Sequence, residues 1–213
     1  MLTITIKQGK EKSLVDGALH VYASAVERVD GKPGERMQSG ATAVLQSSSG
    51  KFLARAAYSP QSQVRARVWS FNPNEAIDHA FIKRRVAAAV AKRGGAGGAL
   101  SDAGSSADSN VGRKRGSQEP VRLSAGEEDG LPGLLVDWHR EAPGYLVCQF
   151  LSAGVDAWKI PIVQSLMKET GCANVYERSD PLMRRGEGLP DVSGALAGET
   201  PPDSLFIKEK RPR

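Results

Sequence analysis

The stretch that most narrows what this chain can fold into is Lys51-Phe-Leu-Ala-Arg-Ala-Ala-Tyr-Ser-Pro-Gln-Ser-Gln-Val-Arg-Ala-Arg-Val-Trp-Ser-Phe71. Phe52, Ala54 and Ala56 alternate with Leu53 and Arg55, and Val64, Ala66 and Val68 alternate with Arg65 and Arg67, the period of two that separates the faces of a strand. Tyr58-Ser-Pro-Gln-Ser62 interrupts the pattern, because Pro60 fixes its own backbone and disfavours helix at Ser59. The stretch therefore reads as two strands and a corner. Val64, Ala66 and Val68 fall on one face and Arg65, Arg67 and Trp69 on the other. Guanidinium groups and an indole on one face suit phosphate binding and base stacking. A solvated sheet face has the same pattern, and these residues alone do not separate the two readings.

Around this hairpin, residues 1–71 read as a small β-barrel. Leu2 to Ile6 alternates, Leu19 to Val29 is strand-like, Asp30-Gly-Lys-Pro-Gly34 is a turn, and Ala41 to Gln46 is a short strand. Ser47-Ser-Ser-Gly50 then turns the chain into the hairpin, and short strands with glycine-rich turns indicate closure on themselves. The period changes at Asn72-Pro-Asn-Glu75, which resembles a helix start with Asn72 as cap and Pro73 at the first position. Ile77, Phe81, Ile82, Val86 and Val90 form one side of a helix running to about Lys92. Its Lys83, Arg84, Arg85, Lys92 and Arg93 favour the C-terminal half through the helix dipole and read mainly as a solvated face.

Gly94 to Gln118, rich in Gly, Ser, Ala and Asp, offers too little apolar surface to offset the entropy of ordering and reads as a disordered insertion. Val121 to Leu123, Gly133 to Trp138, Tyr145 to Leu151 and Asn174 to Glu177 then read as strands. A helix carries Trp158, Ile162, Val163, Leu166 and Met167, with Pro161 setting its start near Lys159 or a kink, and Gly171 ends it. A last strand is expected at Ser204 to Lys208. The fold class is α+β, a small barrel followed by an α+β unit in which sheet and helices share one core.

The net charge of +5 is concentrated in clusters such as Lys7, Lys10 and Lys12, which favours an acidic polymer as partner, RNA or DNA ahead of lipid. No apolar run is long enough to span a bilayer, and Met1 to Lys7 lacks the apolar block of a signal peptide, so a cytoplasmic location is expected, with an organelle as the other option. Cys148 and Cys172 do not build a disulfide framework, and with three scattered histidines they make no metal spacing. Glu127, Glu128 and Asp129 could serve a cation or acid–base chemistry, but the spacing fits no calcium loop and a solvated turn is the better reading. His79 and His139 have no nucleophile at a known spacing, and no G-x-G-x-x-G joins a strand to a helix. From these residues no catalytic, cofactor-binding or metal site is expected.

Three segments carry a resemblance: Phe52 to Phe71, Glu128-Asp-Gly-Leu-Pro-Gly-Leu-Leu-Val-Asp137, and Val175-Tyr-Glu-Arg-Ser-Asp180. In this order they closely resemble the large-subunit rRNA cytosine-C5 methyltransferases that carry an N-terminal PUA domain. The resemblance implies a PUA-like RNA-binding domain at 1–73, a connecting helix at 74–93, the insertion at 94–118, a central α+β domain at 119–200 and a tail at 201–213. It implies RNA contacts at Arg55, Tyr58, Gln63, Arg65, Arg67 and Trp69, with large-subunit rRNA as the partner. It also implies S-adenosylmethionine for the whole family. The family's cofactor-binding Rossmann-like domain with its catalytic cysteine is expected to be absent here, leaving no cofactor in this chain and no activity alone. A homodimer or a complementing catalytic chain is the other partner option, and a complementing chain or a longer gene product would complete an active enzyme. Departures lie at Leu19-His-Val-Tyr-Ala-Ser-Ala25, which lacks the family's Pro-Trp pair and glycine, and at Ala56 and Ser124-Ala125. They leave open an interaction module without RNA binding.

Overall fold

The computed structural model describes residues 1–94 and 119–207. The expected insertion, apart from Gly94, and the last residues of the tail lie outside the described residues.

The first sheet has six strands in the order β2-β6-β5-β4-β1-β3. They are β1 (Leu2–Ile6), β2 (His20–Tyr22), β3 (Val26–Asp30), β4 (Thr42–Gln46), β5 (Phe52–Tyr58) and β6 (Val64–Ser70). Only β1 and β4 run parallel. The edge strands β2 and β3 follow one another in the chain, separated by the single 3-10 turn Ala23–Ala25. A sheet whose two edges are joined by one turn has to curl, and the Lys7 amide reaches the Ala25 carbonyl at 2.9 Å. This explains why the expected strand from Leu19 to Val29 is two strands: the chain crosses there from one edge of the barrel to the other. The alternation of β5 and β6 sends Ala54, Ala56, Ala66 and Val68 into a core with Leu2, Ile4, Ile6, Leu14 and Leu45. Leu14 comes from the short helix α1 (Lys12–Val15), and α2 (Pro33–Met37) follows the turn at Asp30.

The second sheet has the order β11-β10-β9-β8-β7, from β7 (Val121–Ala125), β8 (Leu134–His139), β9 (Tyr145–Phe150), β10 (Val175–Arg178) and β11 (Ser193–Ala197). Strands β9 and β10 are parallel, as a helical crossover allows, and the other pairs are antiparallel. Four helices complete the architecture before the end of the described chain: α3 (His79–Lys92), α4 (Ala153–Ala157), α5 (Lys159–Thr170) and α6 (Pro181–Gly186). Phe81, Ile82, Val86 and Val90 of α3 and Ile162, Val163 and Leu166 of α5 share one core with the sheet. Ala57 and Trp69 of the barrel belong to that same core. Barrel and second unit are thus packed together.

Two expected elements are corrected. Helix α3 starts at His79, because Asp78 accepts the Phe81 amide at 2.8 Å. Asn72 instead accepts the Asn74 amide at 2.9 Å in a tight turn, and Glu75 is drawn to the Ser70 hydroxyl at 2.5 Å. The expected strand at Ser204 to Lys208 is a short helix, α7 (Ser204–Ile207), over its described residues. The last strand is β11, whose Gly194, Ala195 and Ala197 carry weak strand preference and draw their order from pairing with β10.

Candidate nucleic-acid interface

The six residues singled out in the hairpin occupy three settings. Trp69 is 3% exposed; its ring meets Phe81 edge-to-face at 6.1 Å. Gly154 of α4 lies on the other side, and a Cβ there would sit 2.6 Å from the Ala57 Cβ and 3.0 Å from Trp69 Cζ2. Arg67, beside Ala57 across the β5–β6 ladder, donates to Glu187 Oε1 at 2.7 Å. Glu187 is buried and also accepts from the Ser59 hydroxyl at 3.0 Å, the Ser62 hydroxyl at 2.7 Å and the Ala153 amide at 3.3 Å. Tyr58 is buried in the barrel core. The face carrying Arg67 and Trp69 therefore packs against the second unit.

The remaining three are reachable. Gln63 is exposed at the corner, and the half-buried Arg65 donates from Nη1 to the Pro60 carbonyl. Arg55, also half-buried, donates from Nη2 to the Pro73 carbonyl at 2.9 Å, which places it beside the segment that leaves β6. That segment holds Phe71, 41% exposed. Phe71 forms a wall of an open groove of about 320 Å³ with Leu14, Val15, Lys51, Phe52 and Leu53. Exposed Lys51 and the exposed ring of Phe71 combine here as phosphate and stacking partners do. The sequence contained the signal, a basic cluster ahead of a second strand-like run, but not the fold that brings α1 to the start of β5.

Phe71 also borders a second cavity of about 380 Å³, between the barrel and the second unit. Leu19, Val68 and Trp69 line it from the barrel, Arg85, Ala88 and Lys92 from α3, and the 3-10 turn Gly126–Asp129 closes the far side. Within that turn Asp129 is 1% exposed at its side chain; it accepts from Arg93 at 2.6 Å and from the Ala125 amide at 2.7 Å. Burial alone would raise its carboxyl, but these hydrogen bonds outweigh it and hold Asp129 below the usual carboxylate range. The expected solvated acidic turn is thus corrected for Asp129, while Glu128 stays exposed. Glu127 reaches across to His20 of β2 at 3.1 Å. Arg85 stacks 4.9 Å over Phe81 and lies 3.7 Å from Glu75. Gly130, with φ +66°, leaves the room its guanidinium needs, since a Cβ would fall 2.7 Å from Arg85 Nη1.

The Val175–Asp180 segment carries buried charge. Glu177 is fully buried and meets Lys159 at 2.9 Å and Arg184 at 3.5 Å, and both cations also hold Asp156. Burial opposes ionisation of Asp156, but the hydrogen bonds from Lys159 and Arg184 win and lower its pKa. Cys148 and Cys172 are buried free thiols, and burial pushes the Cys148 thiol far up, away from nucleophilic use. Among the described residues no cluster of His, Cys, Asp and Glu could hold a metal ion, and no helix is long and apolar enough to cross a membrane.

Comparisons with known proteins bear on these surfaces. Residues 4–71 match the PUA-like domain family. The chain is 38% identical over 208 residues to Ribosomal RNA large subunit methyltransferase I of Aliivibrio fischeri (strain ATCC 700601 / ES114), covering 98% of this chain and 47% of that protein. It is 39% identical over 206 residues to the protein of the same name from Pseudoalteromonas translucida (strain TAC 125), covering 97% and 46%. The chain spans about half the length of the curated relatives it matches. Among solved structures it resembles a protein assigned as a SAM-dependent methyltransferase from Streptococcus mutans, with TM-score 0.64, 15% identity, and 95% of this chain and 44% of that one covered. A second, assigned as a methyltransferase and complexed with SAH, gives TM-score 0.65 at 14% identity with the same coverage. At such identities the structural likeness is one of fold. The expectation of no cofactor in this chain is overturned: its likenesses are to methyltransferases over 95% of its length or more, and one of them holds SAH. Expected inactivity, a homodimer and a complementing chain draw no support from them.

Proposed function

We propose that this chain is the RNA-binding portion of a methyltransferase acting on large-subunit rRNA, with S-adenosylmethionine as methyl donor. The observation that carries the reading is the 38% identity, over 98% of the chain, to proteins named for that activity. The PUA-like match over 4–71 and the open groove beside Lys51 and Phe71 support RNA as the ligand. Cytosine C5 as the methylated position, and domain limits at 73, 93, 118 and 200, follow from the family resemblance. A cytoplasmic location accords with such a substrate.

Within the proposed RNA interface, Arg55 acts from beside the groove that Lys51, Phe52 and Phe71 line. Gln63 and Arg65 act at the hairpin corner, and Tyr58, Arg67 and Trp69 hold the strand that presents them. Neither cavity at the barrel is bordered by a glycine loop running from a strand into a helix, so no residue is assigned to hold the donor. S-adenosylmethionine would supply the methyl group, and the residues described would hold and orient the RNA.

Binding of large-subunit rRNA fragments, measured by fluorescence anisotropy against salt, tests the RNA-binding reading. Lys51→Ala with Arg55→Ala should weaken binding and lower the log–log salt slope by roughly 0.7–0.9 for each phosphate no longer neutralised. Unchanged affinity and slope would refute the groove assignment. Transfer of labelled methyl from S-adenosylmethionine to unmodified rRNA by the protein tests the reaction class.

A further inference from the structure

We propose that the cavity between the barrel and the second unit takes in one unpaired nucleotide of the bound RNA, base inward, and selects bases that present amino N–H donors. The inference rests on the RNA-binding reading. Phe71 is common to the open groove and to this cavity, so a strand lying in the groove reaches the cavity by passing over one exposed ring. The cavity, at about 380 Å³, lies within the range of small-ligand sites, roughly 300–1,000 Å³.

Charge decides which part of a nucleotide enters. Asp129 is already neutralised by Arg93, but Glu127 and Glu128 also line the cavity, Glu127 tied to His20 at 3.1 Å and the exposed Glu128 lying 3.8 Å from Arg93. Carboxylates repel phosphate and accept hydrogen bonds from amino groups, such as N4 of cytosine, N6 of adenine or N2 of guanine. Uracil has no such group. On the α3 side, Arg85 is held in place by Phe81 and Glu75, and Lys92 is 58% exposed at its side chain. These cations can meet the flanking phosphates while the base points toward the carboxylates. Trp69 borders the same cavity, and its indole N–H is buried without an acceptor among the described residues. That N–H is sealed from solvent, so Trp69 contributes an apolar wall to the cavity and no hydrogen bond to a base.

Single-stranded oligonucleotides rich in cytosine, oligonucleotides of uracil alone, and a fully paired RNA duplex provide the probes, each titrated into the full chain by anisotropy. Ala88, exposed on α3 at the cavity wall, is changed to Trp to fill the space, and Glu128, exposed and on the opposite side, is changed to Ala. Because both positions are exposed, folding should be retained, and circular dichroism verifies it. The expected result is preference of the unaltered chain for cytosine-rich over uracil strands. Ala88→Trp should weaken the cytosine-rich strand about tenfold, the size of one base-stacking interaction, and leave the duplex unchanged. Glu128→Ala should reduce the preference over uracil. If the unaltered chain binds RNA but neither variant alters single-strand affinity or base preference, the cavity proposal is overturned and the RNA reading stands. If the unaltered chain binds none of the three RNAs, the RNA reading itself fails, and the cavity proposal with it.

Discussion

At the scale of single residues, Glu187 shows how a buried charge can join two units. It lies far along the chain from the hairpin, yet takes hydrogen bonds from Ser59, Ser62 and Arg67 of the barrel and from the Ala153 amide of the second unit. Removing one partner of a buried pair leaves the other charge desolvated without compensation, which costs more than the pair itself contributes. Glu187→Ala should therefore destabilise the protein by about 3 kcal/mol in urea unfolding, while a substitution at exposed Glu128 should change stability by less than about 0.5 kcal/mol. Acid sensitivity belongs to this scale too. Asp129 and Asp156 have folded pKa values below their unfolded ones, so their contribution is fully present above the unfolded value, about 3.9, and is lost as pH falls through the lowered folded values. Unfolding free energy should be insensitive to these two groups from about pH 5 to neutrality and fall below about pH 4. Asp129→Asn should flatten that acid limb, as read by denaturation at a series of pH values.

At the scale of elements, α3 separates what a sequence displays from what only the fold decides. Its apolar side was legible, since Phe81, Ile82, Val86 and Val90 recur at helical spacing and are all buried. Its start was not, because Asn72-Pro-Asn-Glu75 and Asp78 both have the chemistry of a cap, and Glu75 is claimed by Ser70, Arg84 and Arg85 once the chain is folded. Asp78→Ala should cost about 1 kcal/mol through removal of the bond to the Phe81 amide, whereas Asn72→Ala should cost clearly less; thermal unfolding of the two variants separates them. The hairpin has the same lesson at the candidate site. Strand periodicity assigns Arg65, Arg67 and Trp69 to one face, but periodicity says nothing about what covers that face. Here α4 and Glu187 cover Arg67 and Trp69, and the accessible chemistry shifts toward Lys51, Arg55 and Phe71. The groove and the cavity both join segments distant in sequence, so neither could be read from local pattern.

At the scale of the molecule, the shared core makes barrel and second unit one folding system. Ala57 and Trp69 bury their side chains among Phe81, Val155 and Phe150 rather than in the barrel's own core, and burying an aromatic side chain contributes roughly 1.5–3 kcal/mol. Without that packing the barrel would forfeit a sizeable part of its stability, since domains are held by only about 5–15 kcal/mol. The packing depends on Gly154, because any Cβ there collides with Ala57 and the indole. The intact chain should accordingly unfold in a single transition, with tryptophan fluorescence and far-ultraviolet circular dichroism superimposing along a urea titration. Gly154→Leu should wedge the two units apart. Its fluorescence transition, reporting Trp69 among others, should then move to lower urea than the secondary-structure transition, and the RNA cavity bordered by Trp69 should lose its base preference along with it. Coincident transitions in Gly154→Leu would mean that the barrel does not draw its stability from this packing, and that the cavity's walls are held by the Glu187 and Glu127 links instead.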